Sequence, residues 1–279
     1  MRFVARKPRE GINVSDTHPL VEAGTLAVGL SLLFVAVVLA LVFIVELVLL
    51  YVSPETEAEL FSNWTPDDLV SIVADDERLI ETRALAARLA GHWPDSPYAF
   101  RVEISDSEVP NAMAFPGGLI IVTTALLDRV ETENELAFVV AHELGHFHNR
   151  DHIRMLGRTV ILSIFFAAVT ANEGGVGLGI NIADLTLRRF NRDQESAADD
   201  FGLEIVHAEY GHVNASWRFF DRLIDDDLSV SGLATYLATH PSADDRIEDL
   251  QLRAQTRGWL LNGPLTELAW GRGNSAEAH

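Results

Sequence analysis

The first long apolar segment of the chain is able to cross a lipid bilayer as one helix. Residues 23–45 form a run of 23 uncharged residues, and the apolar pattern continues to Val52 with only Glu46 interrupting it. As a helix, this run is about 34 Å long, whereas the hydrocarbon core of a bilayer is about 30 Å thick. A cleaved signal peptide is the alternative, but its apolar region is usually about 7 to 15 residues long. The pattern therefore predicts a retained transmembrane anchor at residues 23–52.

Basic residues flank only the N-terminal side of this anchor. Four of them precede it: Arg2, Arg6, Lys7 and Arg9. No Lys or Arg occurs between the anchor and Arg78. The positive-inside rule therefore predicts a cytoplasmic tail at residues 1–22 and a large domain at residues 53–279 on the opposite side. In a bacterium, the chain would be a single-pass protein of the inner membrane, with this domain in the periplasm.

A second apolar run, Thr159 to Ala171, is too short to cross a bilayer alone. Its 13 uncharged residues extend about 20 Å as a helix. The glycine-rich residues that follow predict a flexible turn. We therefore expect residues 159–184 to form an apolar insertion, which is core, an interfacial helix, or half of a re-entrant hairpin apposed to the membrane.

The pattern after the anchor predicts an α+β domain. Residues 53–64 are predicted to be a linker, and apolar residues at three- and four-residue spacings predict a helix from Pro66 to about Gly91. Aromatic and β-branched residues at 98–104 and 119–123 predict two strands, with a turn-rich segment between them. A small sheet is therefore expected directly before the segment that carries the candidate chemistry.

Charge and composition exclude several partners and chemistries. The net charge of −20 arises after the anchor, because residues 1–52 contain four basic and four acidic residues. A strongly acidic domain argues against binding nucleic acid or an anionic membrane face by charge attraction. The chain contains no cysteine, which excludes disulfides, Cys zinc ligands and a Cys nucleophile. Any metal must therefore be held by His and carboxylate side chains.

A candidate metal motif lies on a helix that begins with a capping box. Thr132 and Glu135 predict the start of the helix, which continues into the motif His-Glu-Leu-Gly-His beginning at His142. Residues four apart share one face of a helix, so His142 and His146 are able to bind one Zn²⁺. Glu143 is then within reach of a water on the metal and is the candidate general base. A solvated helix face of His and Glu residues is the alternative.

A third zinc ligand has to come from another element, since sites of this kind use three protein ligands. Glu195 and Asp199 are the best candidates, because they lie four apart on a predicted helix with small residues between them. Glu195 would bind the metal, and Asp199 would accept the free ring N–H of a ligand histidine. Taken alone, such a pair is more often a solvated helix face. His148 and His152 point away from the ligand face of their helix, so we do not assign them as ligands.

His240 is a further candidate residue of the active site. It follows an apolar helical run, and Pro241 ends that run and restricts the backbone of His240 to extended conformations. A defined loop therefore presents its ring. Three roles stay open: a donor to the oxygen of the tetrahedral intermediate, a latch that occupies the open zinc position, or a structural residue at the end of a helix.

In these motifs the chain resembles the membrane-associated gluzincin peptidases, which include the CAAX prenyl proteases, the HtpX-type quality-control proteases and the mitochondrial Oma-type proteases. The matching segments occur in family order: 111–118 (Asn-Ala-Met-Ala-Phe-Pro-Gly-Gly), 120–123, Glu135, 142–146, 195–199, His240-Pro241 and Arg246. The resemblance implies a mostly helical zincin-like α+β fold with zinc held by His142, His146 and Glu195. It also implies that one strand borders the cleft, formed by Leu119, Ile120, Ile121, Val122 and Thr123.

These observations together predict a zinc metalloendopeptidase with one Zn²⁺ per chain. Zinc would acidify a water and polarise the scissile carbonyl, while Glu143 would take the proton and pass it to the leaving amine. Extended substrate would pair with the edge of the 119–123 strand, a loose recognition mode that suits misfolded envelope or membrane proteins. The expected partners are a polypeptide substrate and the lipid bilayer. The alternatives are a chaperone-like or scaffolding protein that uses the same cleft, and a zinc hydrolase of a non-peptide substrate.

Overall fold

The computed structural model describes residues 18–65, 70–73, 75–170, 192–225, 240 and 243–272. The chain divides into two compact units, residues 1–44 and residues 45–279. Helix α1 (Pro19–Leu49) makes up the described part of the first unit and continues into the second. Its most apolar window has a mean hydropathy of 3.2, and α1 is the one described helix that is long and apolar enough to cross a membrane. The basic residues before it lie outside the described residues, so its orientation stays a prediction.

A small sheet forms one layer of the second unit. Among the described residues, it contains β1 (Arg101–Ser105), β2 (Ala112–Phe115) and β3 (Leu119–Thr123) in the order β1-β3-β2. Strand β3 is central, parallel to β1 and antiparallel to β2. All five of its residues are buried, as expected for a strand rich in β-branched side chains that is covered on both faces.

The turn between β2 and β3 depends on glycine. Gly117 and Gly118 have φ angles of 78° and 79°, in the left-handed region where residues with a Cβ are disfavoured. A Cβ on Gly117 would also lie 2.3 Å from the carbonyl oxygen of Phe61. The Pro-Gly-Gly sequence therefore fixes the close return of β2 onto β3.

Strand β2 and the segment before α3 correct the sequence prediction. β2 lies inside the turn-rich segment, where the sequence predicted no strand. Helix α3 (Arg78–Ala90) begins later than predicted, since Ile72 forms a β-bridge with Ser105 instead of a helical turn. The amide of Val73 also donates to the carbonyl of Ile104 at 2.8 Å, so pairing with β1 overrides the helical spacing of apolar residues.

The central element is helix α5 (Glu133–His148), which follows the short helix α4 (Thr124–Leu127). The Thr132 side chain accepts from the amide of Glu135 at 3.4 Å, as the capping box predicts. The Glu135 carboxylate accepts from the amide of Glu131 at 3.1 Å rather than from the amide of Thr132. Nearly every α5 side chain is buried, because other elements surround the helix.

Helix α7 (Arg192–Tyr210) packs closely against α5 because glycine occupies the contact on each side. A Cβ on Gly145 would lie 2.7 Å from the Cα of Ala198. A Cβ on Gly202 would lie 3.2 Å from the amide nitrogen of His142. These two glycines set the short distance between the two helices that carry the candidate metal ligands.

Four further helices complete the described part of the chain: α2 (Pro54–Leu60), α6 (Asp151–Thr170), α8 (Arg218–Asp225) and α9 (Ala243–Thr256). A 3₁₀ helix follows at Ala269–Arg272. The segment predicted to be a linker is therefore helical in α2. The second apolar run forms the later part of α6, whereas residues 171–184 lie outside the described residues. The mostly helical architecture with a small sheet confirms the predicted α+β class.

Candidate metal centre

The three predicted metal ligands meet at one point between α5 and α7. The Nε2 atoms of His142 and His146 are 3.1 Å apart. The two carboxylate oxygens of Glu195 lie 3.5 Å from these nitrogens, Oε2 beside His142 and Oε1 beside His146. Ligand atoms around a tetrahedral Zn²⁺ at about 2.0 to 2.1 Å are separated by about 3.3 Å. Two imidazoles and one carboxylate at this spacing therefore fit a zinc ion.

A carboxylate orients each of the two histidines. The Nδ1–H of His142 donates to Asp199 Oδ1 at 2.9 Å, and that of His146 donates to Asp151 Oδ2 at 3.1 Å. With Nδ1 protonated, Nε2 of each ring carries the lone pair that a metal requires. Asp199 was predicted for this role, and Asp151 was not. The only sequence signal for Asp151 is its place at the start of α6, in the turn directly after the metal motif.

The surroundings of the two ligand histidines differ in charge: burial and the Arg246 guanidinium lower the pKa of His142, whereas carboxylates act on His146. Burial would lower the pKa of His146, but hydrogen bonds to Asp151 and Glu195 outweigh it and raise the pKa to about 10. Burial would raise the pKa of Glu195, but its neighbouring histidines hold it well below its usual range. A proton and a metal ion compete for Nε2 of His146. The negative charge of the neighbouring carboxylates, which favours the proton, therefore also favours a bound cation.

Glu143 lies beside the ligands with one oxygen free. Its side chain is buried, and its Oε2 has no hydrogen-bond partner among the described residues. A buried carboxylate oxygen without a partner costs free energy, and such groups in native structures usually have a function or bind a water. The structure therefore places an available acceptor beside the candidate metal ligands.

His240 also reaches this site. Its Nδ1 lies 3.1 Å from Glu195 Oε1 and 3.4 Å from His142 Nε2, and its Nε2 lies 3.9 Å from Glu143 Oε1. The side chain is 2 % exposed. The apolar run before it and Pro241 after it lie outside the described residues. The histidine itself completes a group of four potential ligand residues whose ligand atoms all lie within 4.8 Å of one another: His142, Glu143, His146 and His240.

Arg246 on α9 is a site residue to which the sequence assigned no role. Its Nε donates to Asp199 Oδ2 at 2.9 Å and its Nη1 lies 3.4 Å from Glu195 Oε2. Its guanidinium also stacks over the ring of Phe220, 4.2 Å from the centroid. Burial would raise the pKa of Asp199, but Arg246 and His142 outweigh it and lower the pKa. Arg246 therefore keeps the carboxylate that orients His142 ionised. The only signal in the sequence was its place in the resemblance.

The predicted substrate strand is not an edge. Leu119, Ile120, Ile121, Val122 and Thr123 form β3, which is paired on both sides. Its backbone is therefore not available to an extended polypeptide, and the prediction of edge pairing by these residues is wrong. Among the described residues, the outer strand is β2, since the other side of β1 pairs with residues 71–73.

His148 and His152 do not join the ligand group, as the helical geometry predicted. His148 stacks on Phe201 with ring centroids 4.5 Å apart. His152 is buried, and its Nε2 contacts Glu57 Oε1 at 2.5 Å.

The family of the chain follows from comparison with known proteins. The model of peptidase family M48 matches residues 74–254, which is more than half of the chain. The chain belongs to peptidase family M48. Its members are metal-dependent, and the buried His and Glu cluster of this chain is suited to hold a metal. Membership confirms the predicted resemblance and the predicted class of enzyme, a metallopeptidase.

Similar proteins occur in bacteria and in mitochondria. The M48 chain is 30% identical over 172 residues to a putative beta-barrel assembly-enhancing protease of Vibrio cholerae, covering 57% of this chain and 35% of that protein. It is 27% identical over 183 residues to the beta-barrel assembly-enhancing protease of Escherichia coli, covering 61% and 38%. It is 27% identical over 209 residues to the mitochondrial metalloendopeptidase OMA1 of Danio rerio, covering 69% and 44%. The matches thus span between a third and a half of the length of these relatives.

Proposed function

We propose that this M48 chain is a zinc endopeptidase, anchored in a membrane by α1, that cleaves unfolded or misfolded polypeptides of the cell envelope. The observation that carries the proposal is the spacing of the ligand atoms of His142, His146 and Glu195, with the free oxygen of Glu143 beside them. The proposed location is the inner membrane of a bacterium, with the N-terminus in the cytoplasm and the peptidase domain outside it. The names of the bacterial relatives support an envelope role.

Zinc is the metal that this donor set favours. Two imidazoles with one carboxylate, buried and at tetrahedral spacing, are typical of catalytic zinc sites, whereas Mg²⁺ and Ca²⁺ prefer all-oxygen sites. Asp199 and Asp151 would hold the two ligand histidines in the required tautomer. When bound, zinc supplies a lowered pKa for a coordinated water and polarisation of the scissile carbonyl.

Glu143 performs the proton transfers in this proposal. Its free Oε2 accepts a proton from the attacking water and then delivers it to the amine of the leaving peptide. No other protein group competes for that oxygen among the described residues, so it is able to turn toward the water or the amine. Arg246 acts indirectly. It keeps Asp199 ionised, and Asp199 orients the ring of His142.

The outer strand β2 is the proposed binding site for the substrate backbone. An extended polypeptide would add to β2 as a further antiparallel or parallel strand and form main-chain hydrogen bonds. Such bonds do not depend on side chains, so selectivity would be low. This mode of recognition suits an enzyme that degrades proteins by their loss of structure rather than by a sequence motif.

The contacts of His240 favour the latch among its three open roles. Its Nδ1 lies 3.1 to 3.4 Å from Glu195 Oε1 and His142 Nε2, which is close to the spacing of the three proposed ligands from one another. A nitrogen at this position would occupy the place that a substrate or water needs. His240 would therefore hold the enzyme inactive until its loop moves.

The proposed function is tested with purified full-length chain in detergent micelles and an unfolded, fluorescently labelled casein. We expect cleavage that a zinc chelator stops and that added zinc restores. Casein that binds and is released uncut, with zinc present, would show the chaperone-like alternative instead.

A further inference from the structure

A buried carboxylate outside the proposed mechanism lies directly after the apolar N-terminal helix. Glu57 on α2 is 0 % exposed. Its Oε2 accepts a hydrogen bond from the hydroxyl of Tyr98 at 3.0 Å and lies 3.5 Å from Nη2 of Arg150. Its Oε1 accepts from Nε2 of His152 at 2.5 Å. Burial would raise the pKa of Glu57, but these partners outweigh it and lower the pKa. Glu57 is therefore an ionised residue of the protein interior.

His152 connects this carboxylate to a metal ligand. Its Nδ1 lies 3.2 Å from the backbone carbonyl oxygen of His146. A carbonyl oxygen and an ionised carboxylate only accept hydrogen bonds, so both ring nitrogens of His152 carry a proton, and Nδ1 donates to the carbonyl while Nε2 donates to Glu57. The last carbonyls of an α-helix have no partner within the helix, and His146 lies in the last turn of α5. His152 therefore caps the end of the metal-binding helix at the ligand residue itself.

The turn after α5 contacts the same part of the chain as His152 does. Arg150 lies between α5 and α6 with a φ angle of 58°, a left-handed conformation that costs free energy in a residue with a side chain. Its Nη1 donates to the carbonyl oxygen of Leu49 at 3.1 Å, and its Nη2 reaches Glu57. Two residues from the start of the second unit, Leu49 and Glu57, therefore hold the turn that follows the metal motif.

From these contacts we propose that Glu57 is a positioning residue for the metal site, fixing the last turn of α5 through His152 and so the placement of His146. The inference rests on the proposed binding of zinc by His146. It makes the segment between the membrane anchor and the peptidase domain part of the metal site rather than a linker. A displacement of that segment would then change metal binding.

The test measures zinc affinity of the full-length chain in detergent, by competition with a chromophoric chelator. We expect Glu57→Ala to weaken zinc binding by about 10- to 100-fold, as the loss of groups that orient a ligand usually does. Glu57→Gln retains an acceptor oxygen for His152 and should recover part of this loss. The matched control is Tyr98→Phe, which removes another hydrogen bond to the same carboxylate but leaves His152 untouched. Its zinc affinity should stay within about twofold of the parent chain.

A double-mutant cycle then separates positioning from general packing. If Glu57 acts through His152, the double variant Glu57→Ala/His152→Ala should bind zinc no more weakly than the worse single variant. Thermal midpoints identify any variant that fails to fold, and His152→Ala, which breaks the same contact, replaces Glu57→Ala in the comparison if that variant does not fold. Parent-like zinc affinity of a folded Glu57→Ala or His152→Ala, or a loss in Tyr98→Phe equal to that of Glu57→Ala, would overturn the proposal. A parent chain that binds no zinc would overturn the proposed function itself, and the role of Glu57 with it.

Discussion

Gly145, inside the metal motif, lies where the packing of α5 against α7 bears most directly on the proposed chemistry. A Cβ at this position would lie 2.7 Å from both Cα and the carbonyl oxygen of Ala198 on α7. Ordinary contacts between such atoms are about 3.5 to 4.0 Å, so Gly145→Ala has to move α5 and α7 apart by about 1 Å. Both neighbours are backbone atoms of a helix, and neither is able to rotate away.

The same displacement acts on the metal site, because Glu195 is on α7 and the two histidines are on α5. Distances of 3.5 Å between the histidine nitrogens and the Glu195 oxygens would lengthen toward about 4.5 Å, well outside the tolerance of a zinc site, about 0.2 Å per ligand. A misplacement of about 1 Å costs about 100-fold in activity. Overpacking should lower the free energy of unfolding by about 1 to 3 kcal/mol, partly offset by about 1 kcal/mol from the better helix propensity of alanine.

The assay compares casein cleavage, zinc affinity and thermal midpoint for three glycine-to-alanine variants in helices. Gly145→Ala should lose about 100-fold in cleavage and at least tenfold in zinc affinity. Gly202→Ala, whose Cβ would meet the amide of His142 at 3.2 Å, should show a smaller loss of both. Gly29→Ala has nothing within 4 Å of the new Cβ and should match the parent chain. Parent-like zinc binding and cleavage by Gly145→Ala would refute the argument that close helix packing sets the ligand distances.

Further variants test single roles at the site and the predicted topology. Asp151→Ala and Asp199→Ala should each raise the zinc dissociation constant by about 10- to 100-fold, and Glu195→Ala should lose stoichiometric zinc, all measured by chelator competition. Tight, stoichiometric zinc in the last variant would remove Glu195 from the ligands. His240→Ala should cleave casein faster if the histidine is a latch, whereas a fall of about 100-fold or more would indicate an oxyanion donor. An unchanged rate would discard both roles. A reporter enzyme fused after His279 should behave as extracytoplasmic, and cytoplasmic activity there would contradict the predicted orientation.

Local signals explain which features were predictable from the sequence. The start of α5 follows from the hydroxyl of Thr132 and its neighbours, and the shared face of His142 and His146 follows from helical spacing alone. Strand β3 has β-branched residues at its centre and a Pro-Gly-Gly turn before it. In each case the residues that determine the structure are adjacent in sequence, so no knowledge of distant contacts is needed.

Features that depend on distant partners were missed. Strand β2 lies among turn residues and exists because β3 pairs with it, and the same pairing removes the edge that was predicted for β3. Asp151 and Arg246 are polar residues without a ligand pattern, and only the fold brings them to the ring of His146 and the carboxylate of Asp199. The sequence around Glu57 is typical of an exposed helix. The burial of Glu57 depends on Tyr98 and His152, which lie on other elements.

The most direct test of a zinc-dependent peptidase is to measure zinc content and casein cleavage together in the full-length chain and in Glu143→Gln. The amide keeps the shape of the side chain, and it is unable to take the proton of a water. We predict about one zinc per chain in both proteins, with cleavage by the parent chain and none detectable by the variant. Cleavage by the zinc-loaded variant within about tenfold of the parent rate would contradict the role of Glu143 and the proposed mechanism.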